Sequence, residues 1–484
     1  MISIVPLMPQ NSNDQVPLCV DLDGTLVNTD TLVESAVLLV KINPLYILVM
    51  LFWLLWGKAS LKEKIATRTA LDVTTLPYNQ VLLDWLNQQT ATGRQLILVT
   101  AANQRVADAV EDHLGLFSRV IASSSTHNLS AEGKRDELER LFGKGRYDYV
   151  GNSRDDLKVW SSCRKGVVVN ANPAVSSQAA QAADIEKTFP SNAQPWRALI
   201  AAMRPHQWSK NLLVFVSILM AHRYTEVDLL SHTVIAFVAF CLCSSAVYLI
   251  NDLLDLEVDR KHREKCHRPF ASGQTPMLLG ILAIPVLLAL SVILAMIAGT
   301  LFGFALLIYF AITLAYSFYF KRLALLDVLM LAMLYTLRIL AGAAVAEEIP
   351  SVWLVSFSMF FFTSLAMVKR YAELKSLELE AGDRVIGRGY SVSDLPIIAQ
   401  FGVAAGYIST LVMALYIDSS DVAAIYHQQR VMWLLCPLLM YWIGRIWLIA
   451  SRGELYQDPV VFATRDRTSY IVFGCGLLIL MAAL

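Results

Sequence analysis

The chain carries no excess of either charge: 40 Lys and Arg balance 40 Asp and Glu, so the formal net charge is zero. That balance argues against nucleic acid as the main partner, although a neutral total can conceal one-sided loops. Cysteine is sparse, with seven residues at 19, 163, 241, 243, 266, 436 and 475, and they lack metal-ligand spacing. Such thiols read as reduced groups or apolar fillers, and no disulfide framework is implied. The opening MISIVPLMPQNSNDQVPLCVDLDGT has no basic segment ahead of a long apolar core, so it does not read as a secretory signal. The first domain is therefore expected to stay in the cytoplasm. Apolar residues are what the chain has in quantity: they make up 56% of it, and mean hydropathy is +0.51. A membrane domain must account for much of that excess.

Residues 1–190 hold most of the soluble-looking sequence, with the apolar runs PLCVDLDG, RQLILVTAA, RVIASS, YDYVGNS and GVVVNAN separated by helical patterns. Strands alternating with helices predict a parallel α/β sheet whose active residues sit at strand ends. The polar stretch TFPSNAQPW, 188–196, marks the expected boundary, and residues 195–484 form the second domain. Apolar runs near 209–223, 229–251, 276–298, 300–319, 324–345, 352–370, 396–417, 431–451 and 468–484 predict an all-α polytopic membrane domain of about nine transmembrane helices. With the first domain inside, the basic residues at 197–210, 260–268, 321–322, 369–388 and 452–467 all fall on the inner side. The outer loops offer only Arg223 and Arg430, a strong positive-inside signal. The very apolar NPLYILVMLFWLLWG, 43–57, is too short to span. It reads as a buried helical insert or as an interfacial helix, and Trp53 and Trp56 favour the interface.

In DLDGTL, Asp21 and Asp23 end an apolar strand, and Gly24 and Thr25 turn the chain, so a loop can bring both carboxylates to one ligand. This resembles the first motif of the haloacid dehalogenase (HAD) superfamily of phosphohydrolases. The remaining motifs follow in order: Thr100 ends QLILVT, Lys134 stands in EGKRDEL, and GNSRDD follows the strand YDYV. The resemblance implies a Rossmannoid parallel sheet in which Asp21 attacks phosphorus and Asp23 serves as acid and base. Thr100 and Lys134 would hold phosphoryl oxygens, and Asp21, Asp23 and Asp156 would hold or support Mg2+. Asn152 stands where the family usually has an acid, which removes a charge from the metal site. The insert at about 32–77 occupies the place of a substrate-selecting cap, and an apolar cap suits a lipid-linked phosphate.

The second acidic motif is NDLLDLEVDRKHREKCHRPFASG, 251–273, at the end of an apolar run. Asp252, Asp255 and Asp259 are spaced 3 and 4 apart, so on a continuing helix they share a face. Three such carboxylates repel one another unless something positive sits among them, and magnesium, a hard cation that bridges protein to phosphates, explains them. NDxxDxxxD resembles the first aspartate-rich motif of the UbiA-type prenyltransferase superfamily, in which Asn251, Asp252, Asp255 and Asp259 would hold magnesium against a donor diphosphate. The superfamily's second motif, DxxxD, survives as Asp327, a further candidate metal ligand, but the position four later is Leu331. That departure disfavours an isoprenyl diphosphate as donor. RPHQWSKN, HRPFASG and LLDVLMLAMLYTLRILAGA resemble the decaprenyl-phosphate phosphoribosyltransferase branch, which implies 5-phosphoribosyl diphosphate as donor and a polyprenyl phosphate as acceptor. Lys210, Arg268, Lys321, Arg338 and Lys369 are candidate phosphate clamps, although Lys321 and Lys369 also suit span-end anchors. Arg338 falls within a span, where an unpaired charge is costly. His206 and His267 read as phosphate or water contacts, and GRGYS, 387–391, as a loop near the site.

These readings combine into an integral protein of a bacterial inner membrane that makes polyprenyl-phosphate 5-phosphoribose. Its first domain would remove the 5-phosphate to give polyprenyl phosphoribose for cell-envelope glycans. An aromatic polyprenyltransferase with a separate or regulatory HAD domain, and a transporter, remain as alternatives, and a homo-oligomer is left open.

Overall fold

The computed structural model describes residues 16–124, 129–191, 194–379, 389–419, 422, 426–455 and 458–483. The described residues fall into two compact units. The first unites those of Met1–Ala202 with Asp252–Ile281, and the second those of Met203–Asn251 and Leu282–Leu484.

The first unit is built on six parallel strands: β1 (Leu18–Val20), β2 (Leu96–Asn103), β3 (Arg119–Ser123), β4 (Asp148–Gly151), β5 (Lys165–Val169) and β6 (Asp184–Phe189). Their order is β3-β2-β1-β4-β5-β6, so the winding reverses between β1 and β4. Side chains alternate across the sheet. Leu18, Val20, Leu96, Leu98, Val150, Val167 and Val169 enter one apolar core, and Cys19, Ile97, Val99, Tyr149 and Val168 the other. Both faces are therefore covered, as a parallel sheet requires. In such sheets the crevice at the carboxyl ends of the strands where the winding reverses is the place for a ligand, and here it lies between the ends of β1 and β4.

The long β1–β2 connection carries the expected insert, with helices Thr31–Ile42, Tyr46–Leu54 and Lys58–Ala66. Leu39, Trp53 and Ile65 form its small core. Leu48, Leu51, Phe52, Leu55 and Trp56 are exposed. Of the two tryptophans expected at an interface, only Trp56 is at the surface, because Trp53 packs against Leu39 and Ile65 instead.

The second unit is helical. Among the described residues seven helices are long and apolar enough to cross a membrane: Val227–Leu254, Met277–Ala298, Thr300–Phe318, Leu326–Ala346, Val352–Glu378, Val392–Ile417 and Gln429–Ser451. The count is below the nine expected. Arg467–Ala483 is apolar but shorter, and the run 209–223 is a 3-10 stretch, Pro205–Phe215, followed by the short helix Val216–Met220. Burial of Lys210 and Asn211 in that 3-10 stretch explains why apolar length overstated it. Phe240, Phe302 and Tyr309 centre one core of this unit, and Tyr335, Phe362 and Trp447 another.

Candidate functional site

The DLDGTL motif lands at the carboxyl end of β1. Gly24 has a left-handed backbone, φ 72°, and a Cβ there would collide with the side-chain nitrogen of Asn152, so only glycine allows the motif to turn against the end of β4. Asp21 is 6% exposed and accepts a hydrogen bond from Lys134 Nζ at 2.7 Å. Lys134 also donates to the Tyr149 hydroxyl at 3.0 Å and lies 3.5 Å from Asp156 Oδ1. Asp23 Oδ1 accepts from the Thr31 amide at 2.9 Å, at the start of the insert's first helix, where exposed amides favour an anion. Thr100 is fully buried on β2, and its Oγ1 accepts from the Ala102 amide at 3.0 Å.

Asp156 is engaged on both oxygens. Oδ1 accepts from the Tyr149 hydroxyl at 2.7 Å, and Oδ2 accepts from the Asn152 amide at 3.0 Å and from the amide and hydroxyl of Ser153, both at 2.9 Å. It thus fixes the turn after β4 that carries Asn152.

The charges in this centre are not fully balanced. Burial pushes the Asp21 carboxyl up to about 6, and Lys134 offsets only part of that push. Burial, then the charge of Asp30, raises Asp23 to about 7. Asp156 is held below its ordinary range: burial opposes ionisation, but Lys134, Tyr149 and two backbone amides more than compensate. Lys134 stays above its ordinary range, because Asp21 and Asp156 outweigh its own burial. Two carboxyls so poorly compensated gain by taking up a cation. The hard oxygen donors of Asp21, Asp23 and Asn152 fit magnesium.

The second motif forms its own centre. The helix Val227–Leu254 does not continue through the motif as expected: it breaks at Asp255, which begins the short helix Leu256–Lys261. Asp252 and Asp259 are each 3% exposed, and both meet one guanidinium nitrogen of Arg268, at 3.3 and 2.6 Å. The positive group demanded by the clustered acids is thus supplied within the protein by a residue read from sequence as a phosphate clamp. Burial raises the Asp259 carboxyl by more than Arg268 lowers it. One residue before Asp252 on the same helix, Asn251 Oδ1 is buried without a hydrogen-bond partner among the described residues. A pair of carboxylates converging on one cation, with an orphaned carbonyl oxygen beside them in sequence, fits a magnesium-diphosphate group. Among the described residues no cluster of three His, Cys, Asp or Glu stands in metal-holding array, so further donors would come from the ligand and water.

Arg260, next to Asp259, makes a paired contact with Glu34 of the insert at 2.6 and 2.8 Å, both side chains being nearly buried. Neither residue stood out in sequence, because they are 226 positions apart.

In the second unit Lys210 and Lys369 share Asp458, at 2.7 and 3.2 Å, with the Tyr335 hydroxyl 3.3 Å from the same carboxylate. Asp458 was missed because it reads as an ordinary helix cap before Pro459, and it does cap that helix by accepting from the Val460 amide. Arg338 donates to Asn211 Oδ1 at 2.9 Å, to the Leu334 carbonyl and to the Tyr309 hydroxyl at 2.8 Å, and lies over the Tyr309 ring. Those partners explain how an arginine is tolerated within a span. Asp327, read as a metal ligand, is fully buried with one oxygen on Arg370 Nε and the other on the Tyr390 hydroxyl, each at 2.6 Å. Both of its oxygens are therefore occupied by protein donors. Lys321 lies in the short turn Phe320–Arg322 between two spans. Of the loop 387–391 and the basic residues before it, Arg384, Gly387 and Arg388 lie outside the described residues.

The model of the UbiA prenyltransferase family matches residues 212–465, more than half of the chain. A protein of Sinorhizobium fredii, described as uncharacterized protein y4nM, is 36% identical over 95% of this chain and 89% of its own length. A decaprenyl-phosphate phosphoribosyltransferase of Mycolicibacterium smegmatis is 30% identical over 57% of this chain and 88% of its own. Among solved structures, a phosphoserine phosphatase in apo form resembles 37% of this chain and 94% of its own, with TM-score 0.28 and 14% identity. With seven helices long and apolar enough to span a membrane among the described residues and the UbiA family match over 212–465, the chain is an integral membrane protein that belongs to the UbiA prenyltransferase family.

Proposed function

We propose that the chain transfers 5-phosphoribose from 5-phosphoribosyl diphosphate to a polyprenyl phosphate at the cytoplasmic face of a bacterial inner membrane. The observation that carries this reading is the pair of buried carboxylates, Asp252 and Asp259, drawn onto one cation with charge still uncompensated. The relative from Mycolicibacterium smegmatis, named for this activity, supports the choice of donor and acceptor. So does Leu331, which stands where a second acid would serve an isoprenyl diphosphate.

A magnesium ion on Asn251, Asp252, Asp255 and Asp259 would neutralise the diphosphate as it departs. The bond from ribose C1 to the diphosphate oxygen breaks with its electron pair leaving on the diphosphate. A new bond forms from C1 to an oxygen of the acceptor phosphate. That oxygen is already anionic, so no general base is needed. Arg268, 29% exposed on its side chain, would move from the carboxylates to phosphate oxygens as metal arrives. Lys210 and Lys369, held by Asp458, offer a second cationic cluster for a phosphate.

The first unit is proposed to hydrolyse the 5-phosphate of the product. Asp21 would attack phosphorus while Lys134 steadies its carboxylate. Asp23 would give a proton to the departing sugar oxygen, and water would then release inorganic phosphate. The test of the donor is direct: purified protein in nanodiscs, with magnesium and a polyprenyl phosphate, should label lipid from radiolabelled 5-phosphoribosyl diphosphate. Labelling instead from an isoprenyl diphosphate onto an aromatic acid would replace this reading.

A further inference from the structure

Beside the DLDGTL turn the first unit holds a cavity of about 750 Å3. The carboxyl ends of β1, β4 and β5 supply part of its wall through Gly24, Asn152 and Asn170, the region where parallel sheets of this winding take their ligands. The helix Pro195–Ala202 supplies Arg197, and the turn Ser272–Gln274, at the end of the second acidic motif, completes the wall.

This wall is built rather than a chance gap. Asn170 holds a left-handed backbone, φ 51°, and its side-chain nitrogen donates to Asn28 Oδ1 at 2.9 Å and to the Gly24 carbonyl at 3.3 Å. Gly273, φ 75°, lies so close over Asn28 that a Cβ would be 2.6 Å from its carbonyl oxygen. Arg260, paired with Glu34 of the insert, also donates to the Ala271 carbonyl at 3.0 Å, next to this turn. The resulting chemistry is selective: amides and the hydroxyls of Ser191 and Ser272, which both donate and accept, together with the guanidinium of Arg197, which donates to Gln194 Oε1 at 2.9 Å.

We propose that this cavity recognises the alcohol part of the phosphomonoester, and that the part it fits is a sugar carrying a second phosphate. Asn170 and Gln274 take sugar hydroxyls, and Arg197 pairs with the second phosphate. The inference rests on the phosphohydrolase reading of Asp21 and Asp23 and deepens it. Because Ser272–Gln274 belongs to the stretch after the aspartate motif, residues 1–190 alone lack part of the site.

The test uses full-length protein with magnesium and three probes: ribose 1,5-bisphosphate, ribose 5-phosphate and p-nitrophenyl phosphate. Wild type should favour the bisphosphate over ribose 5-phosphate by about tenfold or more in kcat/KM, mainly through KM, since a charged hydrogen bond is worth at least that factor. It should also favour ribose 5-phosphate over p-nitrophenyl phosphate. Arg197→Ala should collapse the first ratio, Arg197→Lys should restore part of it, and Gln274→Ala should shrink the second. Calorimetry on Asp21→Asn, which reads binding without turnover, should show the bisphosphate bound tighter than ribose 5-phosphate. If wild type hydrolyses all three alike, or Arg197→Ala lowers all three equally, the inference is overturned and the phosphohydrolase reading stands. If no probe is hydrolysed and none binds the Asp21→Asn protein, both fall.

Discussion

The two acidic centres solve one electrostatic problem in different ways. At the end of β1 the protein cation is Lys134, only 6% exposed on its side chain and shared among Asp21, Asp156 and Tyr149. In the second motif the cation is Arg268, 29% exposed on its side chain and, among the described residues, meeting Asp252 and Asp259 through one nitrogen. A buried lysine with three partners is part of the scaffold. A half-exposed arginine can leave when a better cation arrives, and its fork then suits phosphate oxygens. On the proposed function, the first centre holds its geometry in advance and the second would rearrange around its ligand.

The largest effect should come from removing the carboxylates themselves. Asp252→Asn or Asp259→Asn is expected to lower lipid labelling by about 10³-fold, the scale of losing preorganised charge stabilisation, while ribose 5-phosphate hydrolysis persists. Equal loss of both activities would erase the distinction between the centres. Next in size is Glu34→Ala, which leaves Arg260 buried and unpaired. Breaking a buried ion pair from one side costs about 3–5 kcal/mol, read as a lower unfolding midpoint in detergent. An unchanged midpoint would mean that the pair does not anchor the motif to the insert.

A pH experiment probes the carboxyls of the first centre, read in an Asp259→Asn background because burial also raises the Asp259 carboxyl. Folded Asp21 and Asp23 keep their protons to about 6 and 7, whereas in the unfolded chain an Asp releases its proton at about 4. Over that window the folded state binds more protons, so these two groups make metal-free stability fall as pH rises. Magnesium competes with those protons, so its stabilising effect should be larger at about pH 8 than at about pH 5; the reverse order would show that the carboxyls are not its ligands. The smallest effect is expected from Arg268→Ala. Magnesium should bind the second centre a few-fold more tightly, because a competitor is gone, yet the donor KM should rise. A weaker metal affinity would show that Arg268 supports the ion instead of yielding to it.

Local chemistry made the strands and both motifs readable. Short apolar runs ending in DLDG, VT and GNS are covered on both faces, so their periodicity and their strand-end polar residues survive in sequence. Lys134 was placed by motif order, and the structure brings it to Asp21. Pairings across the chain were not readable: Lys210 finds Asp458 and Arg260 finds Glu34 over separations of 248 and 226 residues. Nor does hydropathy report direction, which is why 209–223 looked like a span although Lys210 and Asn211 are turned into the protein. The break at Asp255 was hidden for a related reason, since the acid spacing matches a continuous helix equally well.

The most direct test joins the two centres in one assay: nanodisc protein, magnesium, radiolabelled 5-phosphoribosyl diphosphate and a polyprenyl phosphate, with lipid products resolved for wild type and Asp21→Asn. Wild type should make lipid-linked ribose, and the variant should accumulate lipid-linked phosphoribose. Identical products from both proteins would contradict two centres working in series.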